Sequence, residues 1–310
     1  MRGFVMRRSM LRAFSFLGLA GLLAVASVPA AANDVEQRLR DEYQGKAFVL
    51  RGFYSGGRLR YNSASAPTGR VRSGDWTTDG LLLVSDIRIS DLRLKLKAKR
   101  LSVVLGQKGT FEFFADTAKT QKKAPALEID AELPQMNPSF EQVDAIVSKI
   151  FLTAQDSFAE VVPDFWKPCI QNALSGRVSQ CSFSTAFGAI PGFSTRGSGD
   201  PASDQPGAKD ENVMRHGDPG YGIRPPKLIS QHEPEFSEPA RAAKYQGTVT
   251  LDIVVNTEGT PTDIHVTNPL GLGLDAKAVE AVATWRFEPA RKNGEPVATK
   301  IAVEVNFHLY

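Results

Sequence analysis

Groups that usually carry chemistry are scarce in this sequence. Its 310 residues hold only two cysteines and four histidines. Cys169 and Cys181 lack the C-x-x-C spacing of a redox dithiol, and His216, His232, His265 and His308 have no Cys, Asp or Glu at recognisable ligand or triad spacing. A metal or thiol enzyme is therefore not expected, nor is a cofactor. Charge of one sign is missing too. Arg2, Arg7, Arg8 and Arg12 are four of the 37 basic residues and no acid precedes Asp34, so beyond residue 32 the balance is 33 basic against 34 acidic. A near-neutral chain lacks the positive field that nonspecific nucleic-acid binding uses, so nucleic acid is not an expected partner. With 42% hydrophobic and 23% charged residues, the chain is neither a polytopic membrane protein nor wholly disordered, and its length fits about two domains.

What is present begins with a leader. The four arginines are followed by an uncharged apolar run from Ala13 to Val28, then Pro29 and the small-residue site Ala30-Ala31-Ala32. This is the layout of a secretory signal peptide over residues 1–32, and a run of 16 residues falls short of the roughly 20 that span a bilayer. Export to the periplasm is expected; the alternative is an inner-membrane anchor through residues 13–32. In an oxidising compartment the lone pair Cys169 and Cys181 reads as a structural disulfide, with two free thiols as the other option.

Three zones follow the leader. Residues 33–190 form a β-rich region, 191–224 a linker dense in Gly, Pro and Ser, and 225–310 a compact second region. In the first region, Lys46–Phe53, Arg58–Tyr61, Gly80–Ile89, Asp91–Val104, Lys108–Phe114 and Leu127–Leu133 read as strands of an antiparallel sheet or small barrel. A helix capped by Asn137 with Pro138 at its first position closes it, carrying an apolar stripe from Val143 through Ile150 and Phe151 to Phe158. Leu92, Leu94, Leu96 and Ala98 fall on one face of their strand; Arg93, Lys95, Lys97 and Lys99, extended by Arg100, give a cationic row. That row reads either as contact with an anionic envelope surface or as a solvated sheet face.

The second region alternates cleanly. Val249, Leu251, Ile253 and Val255 point one way along the first strand, and a turn at Thr257-Glu258-Gly259-Thr260 leads into Thr262–Thr267. Asp275 can cap a helix lined by Ala278, Val279, Val282 and Trp285 and ended by Pro289; Asn293-Gly294 makes a second turn before the last strand, Thr299–Leu309. The order is strand, strand, helix, strand, and the fold class of the whole is α+β.

These residues closely resemble the C-terminal domain of the TonB family of energy transducers. The correspondence is ordered: Pro234-Glu235-Phe236, Ala240 to Ala243, Gln246-Gly247-Thr248-Val249, Gly259, Leu274-Asp275, Trp285-Arg286-Phe287-Glu288-Pro289-Ala290, Asn293-Gly294-Glu295-Pro296-Val297 and Phe307. The resemblance implies a periplasmic module that couples inner-membrane energy to outer-membrane transporters. It implies binding by β-strand addition, in which an extended segment pairs with an exposed sheet edge. The final strand, Lys300–Leu309, is the expected edge, with Lys300, Ala302, Glu304 and Asn306 along it and Phe236 and Gln246 shaping a neighbouring pocket. Two features depart from the family pattern. The apolar leader has serines but no histidine for engaging a proton-driven motor, and a folded region with a short linker replaces the long Pro-rich spacer. A scaffold that docks another envelope protein without energy transfer is therefore the competing function.

Overall fold

The structure, a computed structural model, describes residues 32–106, 108–114, 126–176, 181–193, 214–215 and 223–309. Apart from its last residue, the expected leader lies outside these. An amphipathic helix not foreseen from the sequence comes first: α1 (Ala32–Tyr43) buries Val35, Leu39 and Tyr43 at helical spacing. The strands β1 (Ala47–Val49), β2 (Arg58–Tyr61), β3 (Pro67–Thr68), β4 (Leu81–Ser90), β5 (Arg93–Leu101), β6 (Val103–Leu105), β7 (Thr110–Phe113) and β8 (Ala126–Glu132) follow. Six of them build one sheet in the order β1-β4-β5-β8-β2-β3.

The sheet is open and mixed, where an antiparallel sheet or small barrel was expected. β8 enters between β5 and β2 and runs parallel to β2, because the chain has left that side of β2 vacant while completing the β4–β5 hairpin. Period 2 on β5 puts Leu94, Leu96 and Ala98 in the core. The same parity corrects the placing of Arg100, which belongs to the inward set. It is buried, pairs with Asp79 at 3.2 Å and donates to the carbonyls of Tyr54, Gly56 and Asp79. Leu92, expected inward, lies in the β4–β5 turn and is 44% exposed.

The helix α2 (Phe140–Ile150) covers the sheet together with α1. Its cap is Ser139 rather than Asn137: the Ser139 hydroxyl accepts from the Gln142 N–H, and the Gln142 side chain accepts from the Ser139 N–H. Val143, Ile146, Val147 and Ile150 are buried, but the stripe stops there because Phe151 turns extended and Phe158 opens a separate helix, α3 (Phe158–Val161). α4 (Lys167–Leu174) and β9 (Ser182–Phe183) come next, β9 completing a small sheet with β6 and β7. Trp76, Phe111, Phe158, Trp166 and Phe183 pack ring on ring there, Trp76 lying edge-on to the other four at centroid distances of 5.2 to 6.4 Å.

Cys169 on α4 is bonded to Cys181 ahead of β9, with a Cα–Cα distance of 5.7 Å, and both are buried. Neither cysteine should label with a thiol reagent when the protein is denatured without reductant. Reduction should cost about 3 kcal/mol of stability, read as a shift in denaturation midpoint, because a loop of this size regains its freedom in the unfolded chain.

Two short strands, β10 (Met214–Arg215) and β11 (Ile223–Arg224), fall inside the expected linker, and the second region follows with β12 (Lys227–Ser230) and α5 (Glu238–Ala243). Its centre is the antiparallel set β13 (Gly247–Val255), β14 (Pro261–Asn268) and, after α6 (Leu274–Val282), the last strand β18 (Thr299–Phe307). β15 (Arg286–Glu288), β16 (Ala290–Lys292) and β17 (Glu295–Val297) link α6 to β18. The helix ends at Val282, earlier than expected from Pro289, since Arg286–Glu288 is drawn out as a strand against β12. Trp285 sits in the intervening turn, buried, its indole N–H donating to the His232 carbonyl at 3.1 Å.

The apolar core of this region continues into the first. One cluster joins Val249, Leu251, Ile253 and Phe307 to Trp76, Val103, Phe111 and Trp166. Main chains meet as well: the Leu105 N–H donates to the Leu270 carbonyl at 3.0 Å, and the Leu272 N–H to the Val103 carbonyl at 2.9 Å. Gly271 sits between them with φ +87°, and a Cβ there would lie 2.3 Å from the Val103 carbonyl oxygen.

Candidate strand-binding edge

The central sheet of the second region has the order β10-β18-β13-β14. Its two rims differ. β14 lies against the turn Asp164–Trp166 and α4 of the first region. β18 is matched to β13 over nine residue pairs, but on its other side only Thr299 and Lys300 have a strand neighbour, β10. From Ile301 to Phe307 that side carries no strand among the described residues.

Four of the six expected site residues, Lys300, Ala302, Glu304 and Asn306, lie on this strand; the other two, Phe236 and Gln246, stand beside it. Ala302, Glu304 and Asn306 are exposed; Lys300 is tied to Asp252 at 3.0 Å, and the Thr248 hydroxyl donates to the Asn306 side-chain oxygen. Phe236 shapes no open pocket beside them, because its ring packs edge-on against Phe307 at 5.4 Å with the Arg241 guanidinium 5.7 Å away. Gln246 accepts from the Leu309 N–H at 2.9 Å and so holds the chain just past β18. Val305 and Phe307 are buried, whereas Ile301 and Val303, also inward by parity, are half-buried.

A second polar cluster, missed from sequence, lies where the two regions meet. Asp275 was expected to cap α6 from outside. It sits instead within the first turn of the helix, fully buried, accepting from the Leu270 and Gly271 N–H groups at 2.7 Å each. Across the junction, Asp75 caps the turn Trp76–Gly80 by accepting from the Thr77 N–H, and the Thr77 hydroxyl accepts from the Gly273 N–H at 2.8 Å. One Asp75 carboxyl oxygen is sealed from solvent, with the Trp166 indole as its neighbouring donor among the described residues. Burial, then the nearby Asp75 charge, push the Asp275 carboxyl up to about 8, against the pull of its two backbone donors. Burial raises Asp75 as well, opposed by Thr77 and by the neighbouring Trp166 indole. The only sequence trace of this cluster is Gly271-Leu272-Gly273 ahead of an acidic helix start.

The cationic row of β5 is not isolated. Arg93 bridges Asp130 at 3.2 Å and Glu132 at 3.3 Å, and Lys95 and Lys97 stand opposite Asp130 and Glu128. Arg58 on β2 adds a contact to Glu128 at 2.8 Å, so the face alternates in sign from strand to strand. A cleft of about 650 Å³ at its end is lined by Leu92, Arg93, Lys95, Asp130, Glu132 and Met136, among others. Among the described residues, no group of three or more His, Cys, Asp or Glu is arranged to hold a metal, and no helix is long and apolar enough to cross a membrane.

The module is α+β, with the β14 rim covered by the first region and the β18 rim without a strand neighbour beyond Lys300 among the described residues. The family described as Gram-negative bacterial TonB protein C-terminal matches residues 232–309, and this part of the chain is a domain of that kind. Protein TonB of Vibrio cholerae is 33% identical over 86 residues, 27% of this chain and 35% of that protein. Protein tonB2 of Pseudomonas aeruginosa is 35% identical over 81 residues, 25% of this chain and 30% of that protein. The match thus spans about a third of the length of these curated relatives. The solution structure of the Pseudomonas aeruginosa TonB C-terminal domain is 23% identical, covering 31% of this chain and 94% of that one, with a TM-score of 0.25.

Proposed function

We propose that this is a periplasmic TonB-like protein whose C-terminal domain binds extended segments of envelope partners, outer-membrane transporters foremost, by strand addition along β18 in energy-dependent transport. The observation that carries the reading is the rim of β18 from Ile301 to Phe307, unpaired among the described residues while β14 is covered. Recognition would then rest on main-chain hydrogen bonds, with Ala302, Glu304 and Asn306 contributing little. The leader supports export, and the buried disulfide suits an oxidising compartment.

The test compares Asn306→Pro with Asn306→Ala in the full chain, using a synthetic transporter peptide and circular dichroism to certify both folds. Proline removes a donor and twists the strand, so it should weaken binding by roughly tenfold or more, and alanine by less than twofold. N-methylating the peptide backbone removes donors from the other partner and should weaken binding equally. Equal affinities throughout would refute pairing at this strand. Docking without energy transfer is the second reading, favoured by a leader that lacks a histidine and ends in the small-residue site Ala30-Ala31-Ala32 expected to be cleaved. N-terminal sequencing of the membrane-bound and soluble protein separates the two. Contact of Arg93, Lys95, Lys97 and Lys99 with an anionic surface finds less support, because Glu128, Asp130 and Glu132 run beside them.

A further inference from the structure

We infer that the chain carries its own competitor for the β18 edge: Met214–Arg215 occupies the start of that edge, and a partner strand that takes the full strand must displace it. The inference rests on the strand-addition reading above. β10 pairs in parallel with β18, Met214 opposite Thr299 and Arg215 opposite Lys300, on the side away from β13. It arises from a stretch dense in Gly, Pro, Ser and Asp, with no alternation that would mark a strand. The edge recruits it through the main chain, the mode of recognition proposed for partners. At this end β18 is firmly held, with Thr299 buried and the Lys300 ammonium fixed by Asp252 at 3.0 Å.

Direction and attachment make the contact a competitor. A parallel strand that passes Thr299 and then Lys300 is aimed along the column beside Ile301 to Phe307 that an added strand would fill. The chain is paired again at Ile223, with only seven residues between it and Arg215. Such a short connection keeps the segment at an effective concentration on the order of millimolar, so it rebinds whenever it leaves. Two residue pairs are too few to seal the edge. The consequence is partial occupancy, which raises the apparent dissociation constant of a partner by the inverse of the fraction left free.

The experiment uses the full chain and a labelled peptide copying residues 210–218, alongside a transporter peptide. Only alternate residues of a parallel pair aim their groups at the neighbour, so both positions are changed, as Met214→Pro with Arg215→Pro. The variant should bind both peptides about fivefold more tightly than the unchanged chain. Without peptide, amide exchange at Thr299–Ala302 should speed up while the rest of β13 and β18 stays protected. Unchanged exchange together with equal affinities overturns the competitor and leaves strand addition standing. If neither chain binds either peptide, strand addition fails and the competitor falls with it, even where exchange is accelerated.

Discussion

Replacing Gly271 with valine is expected to destabilise the full chain by about 3 kcal/mol or more, among the largest effects a single substitution can have here. Two costs combine. The residue holds φ +87°, a conformation that costs an L-residue roughly 1–2 kcal/mol. The new Cβ would also stand 2.3 Å from the Val103 carbonyl oxygen and 2.7 Å from the Val104 Cα, both backbone atoms that no rotamer change can move. Gly294→Val is the control, since it shares a positive φ of +92° but opens onto empty space. It should cost only the backbone share, about 1–2 kcal/mol. Denaturation midpoints by tryptophan fluorescence measure both, and equal losses would show that the contact between β6 and the 270–272 loop contributes nothing to stability.

The second large effect is in pH. The Asp275 carboxyl is raised in the fold from an ordinary value near 3.9 to about 8, so the folded state keeps a proton that the unfolded chain gives up. Its contribution is complete below about pH 4 and is lost as pH rises toward 8, with a slope of at most about 1.4 kcal/mol per unit. The groups facing it are Asp75, the Leu270 and Gly271 N–H donors and, through its own shift, the Tyr245 phenol. Removing the Asp75 charge should therefore relax it. In Asp75→Asn the side-chain oxygen can still accept from Thr77 and keep the cap, while the fall in stability between pH 5 and 8 should shrink. Melting curves across that range decide the matter. A variant with the same slope as the unchanged chain would show that the two carboxyls do not interact.

Alternation marks the buried face most clearly in the middle of a paired strand. The alternation of Val249 to Val255 and of Leu94 to Ala98 is a property of the strand itself, and the structure buries those residues. Errors came where a neighbour distant in sequence decides. Arg100 shares the parity of the core residues, but its charge argued for the surface until Asp79 and three carbonyls supplied partners. Arg286–Glu288 reads as the end of a helix, and only β12, more than fifty residues upstream, makes it a strand. Asp275 looks like a cap because nothing near it reveals that Asp75 lies across the junction. The strand β18 was legible for the opposite reason, because its alternation is its own, and it pairs with β13 along its length. Its neighbour β10 was not, since Met214–Arg215 has no pattern of its own.

The nine matched pairs between β13 and β18 also set how the molecule would carry force. A pull along β18 strains these bonds all at once, in shear, whereas a pull across it would open them one at a time from an end. From β13 the load passes into the first region through the seam where β6 meets the 270–272 loop, which has two main-chain bonds. Beyond that seam the body is braced by the disulfide and the aromatic cluster. Counted in main-chain bonds, the seam is the weakest station on the path.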